Sequence, residues 1–145
     1  MNNWQPENFN SRSIWDRLGI PERGKKLYNA LYAGFTYTIV IRISEMIALN
    51  DIEVAKLLRI SKTTLSRRKK ANRLTIEESD RCFRLVELIA TVFQYFGEDE
   101  LRLAIWLKTP VLSLDNKRPI DMVCTSAESK EVYSLIHRLE HGLVA

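Results

Sequence analysis

The stretch from Asp51 to Lys70, DIEVAKLLRISKTTLSRRKK, decides the fold that we predict for this chain of 145 residues. Its first part, Ile52–Leu58, places aliphatic residues on one face of a short helix. A three-residue turn, Arg59-Ile60-Ser61, follows, and the Ser61 hydroxyl can cap a second helix over Lys62–Ala71. Two helices joined by such a turn, with the second rich in Lys, Arg, Ser and Thr, are typical of a helix-turn-helix.

The second helix of this motif has one face that we predict to meet DNA. Leu65 must face the core, and at about 100° per residue Thr63 and Arg67 then point away from it. The stripe predicted to read base edges consists of Lys62, Thr63, Ser66, Arg67 and Lys70. The flanking residues predicted to contact phosphates are Thr64, Arg68, Lys69 and Arg73. A solvated basic helix without a partner is the alternative, but the preceding helix, the turn and the charge bias together favour DNA.

The charge of the chain is divided unevenly along its length. Residues 1–75 carry 14 basic and 6 acidic residues, whereas residues 76–145 carry 8 basic and 12 acidic residues. The first half is therefore net +8 and the second half net −4. A basic half suits a polyanion and an acidic half does not, although charge alone would fit a solvated basic face equally well.

Upstream of the motif the pattern is harder to interpret. Residues 1–20 are polar with isolated aromatic residues, and we interpret them as a loosely ordered arm that docks through those aromatics. A helix is predicted over Lys25–Ala33, where Gly34 ends it. The segment Phe35–Leu49 fits a strand as well as a helical stripe, but no second strand follows to pair with its backbone. We therefore predict a helix there, and we take this segment as the candidate contact of a homodimer.

Downstream of the motif, Thr75 and Glu78 have the spacing of a capping box and open a long helix that runs to about Phe96. Two apolar stripes on this helix predict that it is central and largely buried. The remaining predicted elements are a helix from the Glu98–Glu100 acids to Leu107, a loop over Val111–Arg118, a short helix over Pro119–Val123, and a last helix from Thr125 to about His141. The prediction is an all-α fold with an arm at 1–20, a helix-turn-helix and dimerisation region at 21–75, and a second functional half at 76–145.

The sequence lacks the features of several other classes of protein. It has no run of about 18 apolar residues that could span a bilayer, and its start has no basic and apolar stretch typical of a signal peptide. Cys82 and Cys124 lack metal-ligand spacing, and the pair His137 and His141 lacks a third ligand. No glycine-rich phosphate loop or nucleophile–base pair is evident. We therefore expect a cytoplasmic protein that is not an enzyme and holds no metal or cofactor.

Short motifs along the chain are similar to those of one family of antitoxins. Around the junction of the two halves they are Thr64–Arg68 (TLSRR), Leu74-Thr75 and Glu78–Arg81 (ESDR). In the second half they are Phe96–Asp99 (FGED), Ala104–Pro110 (AIWLKTP), Arg118–Met122 (RPIDM) and Leu139–Gly142 (LEHG). In this order and spacing, over roughly residues 20–145, the chain resembles the Xre/MbcA/ParS-type antitoxins. It departs from them in the loop Ser113–Lys117, which lacks the glycine that family members commonly carry.

The resemblance implies that the two halves have different functions. Such antitoxins pair with RES-domain toxins, which consume NAD. Their C-terminal domain and tail cover the toxin's NAD site, and their N-terminal domain represses the shared operon. The antitoxin itself would bind no NAD. The toxin-binding residues that we predict on this basis are Trp106, Arg118, Asp121, Arg138, Glu140, His141, Gly142, Leu143, Val144 and Ala145.

The end of the chain suits a protein contact on physical grounds as well. Ile136 and Leu139 beside polar residues offer apolar anchors with a polar rim, although ordinary core packing is the alternative for both. Leu143 and Val144 follow the helix stop at Gly142, and we predict that they enter a partner. From the residues, two rival functions stay open. One is a transcriptional regulator whose second half senses a ligand, and the other is an adaptor that binds protein with both halves.

Overall fold

The computed structural model describes residues 13–142. The α-helices in that part of the chain are α1 Ile14–Leu18, α2 Gly24–Ala33, α3 Tyr37–Met46, α4 Asp51–Leu57, α5 Lys62–Ala71, α6 Ile76–Tyr95, α7 Glu100–Leu107 and α8 Ser126–Glu140. Two short 3-10 helices, Leu112–Leu114 and Pro119–Asp121, lie between α7 and α8. Within residues 13–142 the β-pairing consists of one isolated bridge between Val111 and Lys117. The predicted all-α fold is confirmed.

The long helix α6 is the centre of the fold. The Thr75 hydroxyl accepts a hydrogen bond from the Glu78 N–H, and the Glu78 carboxylate accepts one from the Thr75 N–H, which completes the predicted capping box. The helix packs against α1 and α2, which precede it, and against α7 and α8, which follow it. The residues of its wide apolar face that are completely buried are Cys82, Leu85, Val86, Ile89 and Val92. The prediction of a central, buried helix is confirmed, and this helix joins the two halves.

The end of the predicted arm is a core element. Residues 14–18 form α1, and the Trp15 ring lies 5.2 Å from the ring of Phe83 on α6. Arg17 pairs with Glu100 and so connects α1 to α7. The buried residues of this segment are Ile14, Trp15, Leu18 and Ile20. The expectation of loose order is wrong for these residues, because their apolar side chains fill the space between α6 and its neighbours. Residues 1–12 lie outside the described part of the chain.

The segment Phe35–Leu49 contains α3, so the choice of a helix over a strand is confirmed. Two of its isoleucines, however, do not lie on a free surface. Ile43 is completely buried and Ile39 is 6% exposed. Both belong to the chain's own core, where α3 packs against α1 and α4. Ile39 and Ile43 therefore already have partners within the chain, and a dimer contact in this segment stays a prediction.

The turn after α2 packs closely against the chain just beyond α5. The Leu74 N–H donates to the Phe35 carbonyl over 2.8 Å, and the Arg73 guanidinium donates to the Gly34 carbonyl over 2.9 Å. Gly34 has a φ of +86°, and a Cβ atom at this position would collide with the Leu74 carbonyl oxygen. Glycine alone tolerates both the left-handed backbone and the close approach. This contact fixes the end of α5 relative to α2.

The region between α7 and α8 is more ordered than the predicted loop. The Val111 N–H donates to the Lys117 carbonyl over 3.1 Å, which closes a tight loop around the first 3-10 helix. Pro119 begins the second 3-10 helix at the predicted position, but that helix ends at Asp121 instead of Val123. Met122 and Val123 turn into the core instead. The short helix was therefore predicted at the right place with the wrong length.

Candidate nucleic-acid interface and toxin-binding surface

The second helix of the helix-turn-helix, α5, presents the predicted reading face to solvent. Leu65 is buried, and the residues predicted to read bases are all exposed: Lys62, Thr63, Ser66, Arg67 and Lys70. Thr63 and Arg67 lie on the face opposite Leu65. The Arg67 guanidinium donates to the Thr64 hydroxyl over 3.2 Å. Because Arg carries five donor N–H groups, this one bond leaves donors for the edge of a guanine. The placement suits base reading, and base reading itself stays a prediction.

Two of the predicted phosphate-contacting residues have partners inside the chain. The Arg68 Nε donates to the Glu78 carboxylate over 2.7 Å, and Arg73 donates to the Gly34 carbonyl over 2.9 Å. Thr64 is half-buried in the N-terminal cap of α5, whereas Lys69 is exposed. All four stay predicted phosphate contacts. The internal bonds of Arg68 and Arg73 add a second role, because they position α5.

The turn between α4 and α5 is built without glycine. Arg59 has a φ of +57°, in the left-handed region that costs a residue with a Cβ about 1 kcal/mol or more. Its N–H donates to the Lys56 carbonyl over 3.1 Å, and the Ile60 N–H donates to the Ala55 carbonyl over 2.8 Å. This pair of bonds is the closure of a Schellman motif, which ends α4 and sets the direction of α5.

Residues of α6 and of the C-terminal half hold that turn in place. The Arg81 Nε donates to the Leu58 carbonyl over 2.7 Å, and the Cys124 thiol donates to the Leu57 carbonyl over 3.2 Å. These carbonyls lie at the end of α4, and the last carbonyls of a helix have no hydrogen-bond donors within the helix itself. Local sequence patterns do not point to Arg81 or Cys124, because their partners lie 23 and 67 residues away.

Glu78 connects α5 to the start of α6. Its side chain is 8% exposed and accepts hydrogen bonds from the Arg68 Nε and the Thr75 N–H, over 2.7 and 2.9 Å. Burial by itself would raise the pKa of this carboxyl. The hydrogen bonds and the positive charge of Arg68 outweigh burial and bring the pKa of Glu78 below its ordinary value. The capping-box position of Glu78 was readable from the sequence, but its ion pair with Arg68 was not.

The lowered pKa of Glu78 predicts how stability depends on pH. We expect Glu78→Gln to lower the free energy of unfolding at pH 7 by about 1.5–3 kcal/mol, since a buried charge-assisted hydrogen bond is lost. A group whose folded-state pKa is lowered stabilises the fold above its unfolded pKa, and this contribution disappears as the pH falls through the folded-state pKa. The difference between wild type and variant should therefore shrink below about pH 4, as measured by urea unfolding. Glu131, an exposed residue of α8, changed to Gln is the matched control, and an equal loss in both variants would contradict the role of Glu78.

Three of the predicted toxin-binding residues lie in the middle of the C-terminal half. Arg118 donates two hydrogen bonds to the Asp121 carboxylate, over 2.7 and 2.9 Å. This pair borders an open groove of about 640 Å³ whose opposite wall belongs to α4, with Glu53 and Lys56. Trp106 is half-buried, and its ring lies 6.0 Å from that of Phe96. The structure thus brings Arg118 and Asp121 together beside the helix-turn-helix.

The other predicted toxin-binding residues lie at the end of α8. Arg138 has a buried Nε without a hydrogen-bond partner among residues 13–142. Glu140 and His141 are exposed, and Gly142 has the predicted left-handed conformation with a φ of +67°. Ile136 is buried in the core, as its alternative interpretation held. Leu143, Val144 and Ala145 lie outside the described residues, so their assignment stays a prediction.

Side chains able to hold a metal ion do not gather in the described part of the chain. No group of three or more His, Cys, Asp and Glu residues meets there, and the His137 and His141 rings pack edge to face with centroids 4.3 Å apart. Cys82 is completely buried, and burial raises the pKa of its thiol to about 12, which makes it a poor nucleophile. Across residues 13–142 no helix is both long and apolar enough to cross a membrane.

Two family models match the chain, one on each side of the middle of α6. Residues 33–87 match the antitoxin Xre-like helix-turn-helix domain, and residues 91–142 match the antitoxin Xre/MbcA/ParS C-terminal toxin-binding domain. A protein of Yersinia enterocolitica named Antitoxin Xre is 30% identical over 135 residues, which cover 92% of this chain and 91% of that protein. The chain belongs to the Xre/MbcA/ParS antitoxin family.

Two further relatives agree with this membership. A Photorhabdus laumondii protein named Antitoxin Xre is 29% identical over 93% of both chains. A Pseudomonas putida protein of the same name is 26% identical over 86% of this chain and 79% of that protein. The resemblance drawn from the short motifs is thereby confirmed, and the protein is an antitoxin with a helix-turn-helix domain and a toxin-binding domain.

The exposed face of α5 leads to a prediction about how this antitoxin reads DNA. Arg67→Ala should remove a bidentate base contact and weaken binding to the preferred site by about 1–3 kcal/mol. Lys70→Ala should weaken binding to all sequences about equally and reduce the slope of affinity against salt by about 1. Fluorescence anisotropy with operator and unrelated DNA, measured across salt concentrations, separates the two effects. If Arg67→Ala leaves the ratio of specific to nonspecific affinity unchanged, the assignment of Arg67 to base reading is wrong.

Proposed function

We propose that this antitoxin neutralises a RES-domain toxin that consumes NAD, by covering the toxin's active site, and that it represses its own operon as a DNA-binding homodimer. The observation that carries the proposal is the position of α6, which joins an exposed basic reading face to a domain matched as toxin-binding. Both targets, the operon and the toxin, place its action in the cytoplasm. We propose no catalytic role for the chain itself.

The distribution of charge supports separate surfaces for DNA and for protein. The exposed residues of α5 include Lys62, Arg67, Lys69 and Lys70, and α5 contains no acidic residue. The half that begins at residue 76 is net −4 and would be repelled by a phosphate backbone. DNA therefore approaches on the α5 side, and the toxin-binding domain remains accessible to its partner.

The predicted toxin-binding residues suggest two kinds of contact with the toxin. Those at the end of α8, followed by residues 143–145, suit a segment that enters an active-site cleft. Arg118 and Asp121 belong to the body of the domain and suit contacts around the cleft. We therefore propose a plug formed by the end of the chain and a clamp formed by the body of residues 76–140.

The toxin proposal is tested by expressing the antitoxin with the RES-domain protein encoded beside it. We expect the toxin alone to deplete cellular NAD and stop growth, and co-expression to restore both. The same purified complex should show the two chains together by size-exclusion chromatography. Growth arrest with unchanged NAD would refute the proposed toxin chemistry, and failure of the two chains to associate would refute neutralisation by direct binding.

A ligand-sensing regulator is the second candidate, and the open groove of about 640 Å³ between α4 and Asp121 favours it. A ligand in that groove would contact both halves and could change how they meet. This rival predicts repression that responds to a small molecule in cells that lack the neighbouring gene. Repression that responds only to the level of toxin would exclude it.

A further inference from the structure

The proposed operator binding calls for two copies of α5, but Ile39 and Ile43, in the segment suggested by the sequence as the dimer contact, are buried in the chain's own core. A different apolar surface lies beside α5. On α2, Tyr28 is 57% exposed and Tyr32 is 74% exposed, and at the start of α6 Ile76 is 47% exposed. These side chains border a shallow groove of about 280 Å³ between the two helices. We call this surface, formed by Tyr28, Tyr32 and Ile76, the α2/α6 patch.

The geometry of α2 explains why these aromatic residues face outward. Leu27 is 5% exposed and anchors the inner face of the helix. Tyr28 and Tyr32 are four residues apart, so they share one outer face. Two exposed tyrosines beside an exposed isoleucine do nothing for the chain's own core, and tyrosine is among the residues enriched at protein interfaces.

The patch carries opposite charges on its two sides. Lys25 and Lys26 lie in the first turn of α2, which contains no acidic residue, whereas Glu77 and Asp80 lie in the first turns of α6. Asp80 pairs with Arg84 over 2.9 Å. Among residues 13–142, Lys25, Lys26 and Glu77 form no ion pair. These three exposed charges are therefore available to a partner.

Such a surface is complementary to itself. In an interface with twofold symmetry each copy uses the same patch, and a residue i that contacts residue j on the partner is matched by j contacting i. Rotation about an axis through the α2/α6 patch sets α2 of one copy against the start of α6 in the other. Lys25, which shares the tyrosine face of α2, then faces Glu77 of the second copy, with the tyrosines between them.

We propose that the α2/α6 patch is the contact between two copies of this antitoxin, with Tyr28, Tyr32 and Ile76 at its centre and Lys25 and Glu77 at its rim. This inference rests on the proposed operator binding, and it adds the surface that makes such binding possible. Gly34 and Leu74 hold the end of α2 against the end of α5, so the patch lies next to the reading helix. A dimer formed through this patch carries two reading helices, as an operator with two half-sites requires.

The test compares the mass of the full chain with that of a Tyr32→Glu variant by multi-angle light scattering. We expect the wild type to be a dimer. The dissociation constant of the variant's dimer should be higher by a factor of about 30 or more, because a central aromatic contact is replaced by a charge. Leu112→Glu is the matched control. Leu112 is 81% exposed on the other half of the molecule, so this variant should remain dimeric. Circular dichroism checks that both variants are folded.

A charge exchange tests the rim and also covers the case of an unfolded Tyr32→Glu chain. Lys25→Glu and Glu77→Lys should each weaken the dimer, and the double variant should recover it, because the opposite charges then meet again with their signs reversed. Recovery supports the proposed pairing. A double variant that is weaker than both single variants contradicts it.

DNA and toxin binding separate this inference from the proposed function. Monomeric Tyr32→Glu should bind a single half-site like the wild type, should lose affinity for the full operator, and should still capture the toxin. A Tyr32→Glu chain that stays dimeric overturns the inference. Loss of toxin capture with the dimer intact assigns the patch to the toxin and also overturns it. A wild-type chain that is always monomeric refutes the interface, yet leaves toxin neutralisation and half-site binding standing.

Discussion

A chain that lacks His141–Ala145 should fold and bind DNA but fail to protect cells from its toxin. Removal of these residues breaks two backbone hydrogen bonds of the last turn, from His141 to the His137 carbonyl and from Gly142 to the Leu139 carbonyl. Burial of Leu143 and Val144 in a cleft would contribute about 3–5 kcal/mol, partly offset by the cost of ordering the tail. A net loss of about 3 kcal/mol weakens the complex more than a hundredfold.

A shorter deletion makes this experiment sharper. Removal of residues 143–145 alone keeps both hydrogen bonds of the last turn, so any loss of protection then belongs to the tail itself. Isothermal titration with an inactive toxin variant measures affinity, and growth of cells that express active toxin measures protection. Loss of protection with partly retained binding is the result expected of a plug. Full protection by the shortened chain would move inhibition to the surface around Trp106–Asp121.

Ile43→Lys should prevent the chain from folding. Ile43 is completely buried in the middle of α3, and an ammonium group placed there would lose its water without gaining a counter-ion. The expected loss is at least about 4 kcal/mol, which is close to the whole stability of many small domains. Ile41→Lys is the matched control on the same helix, because Ile41 is 41% exposed and its ammonium group can stay in water. Circular dichroism and thermal unfolding should separate the two, and a folded but monomeric Ile43→Lys chain would support α3 as a dimer contact.

The elements that the sequence predicted well are those fixed by local chemistry. α5 begins and ends at the predicted residues, because Ser61 caps it and Leu65 is its single buried anchor. Thr75 and Glu78 likewise mark the start of α6, through a capping box that spans only three residues. For Phe35–Leu49 the spacing of the apolar residues fitted both a strand and a helix. A lone strand leaves its backbone N–H and C=O groups without hydrogen bonds, and this argument correctly favoured the helix.

Features that depend on distant partners were not predictable in this way. The helix α1 has five residues and would not be stable alone, so its existence depends on the contact between Trp15 and Phe83. Arg59 adopts a left-handed turn without the glycine that usually signals one. The segment Phe35–Leu49 was chosen as the dimer contact because a sequence does not show whether an apolar residue packs in its own core or against a second chain.

The continuity of α6 bears on how antitoxins of this kind can recombine. The two family matches meet within this helix, at residues 87 and 91, so the helix belongs to both inherited units. Arg81 of α6 and Cys124, which lies just before α8, donate the side-chain hydrogen bonds to the end of α4. A crossover between related genes inside α6 would join a reading helix to a turn support that evolved with another sequence. A new pairing of operator and toxin therefore keeps its reading helix in place only if residues 81 and 124 still donate to the two backbone carbonyls at the end of α4.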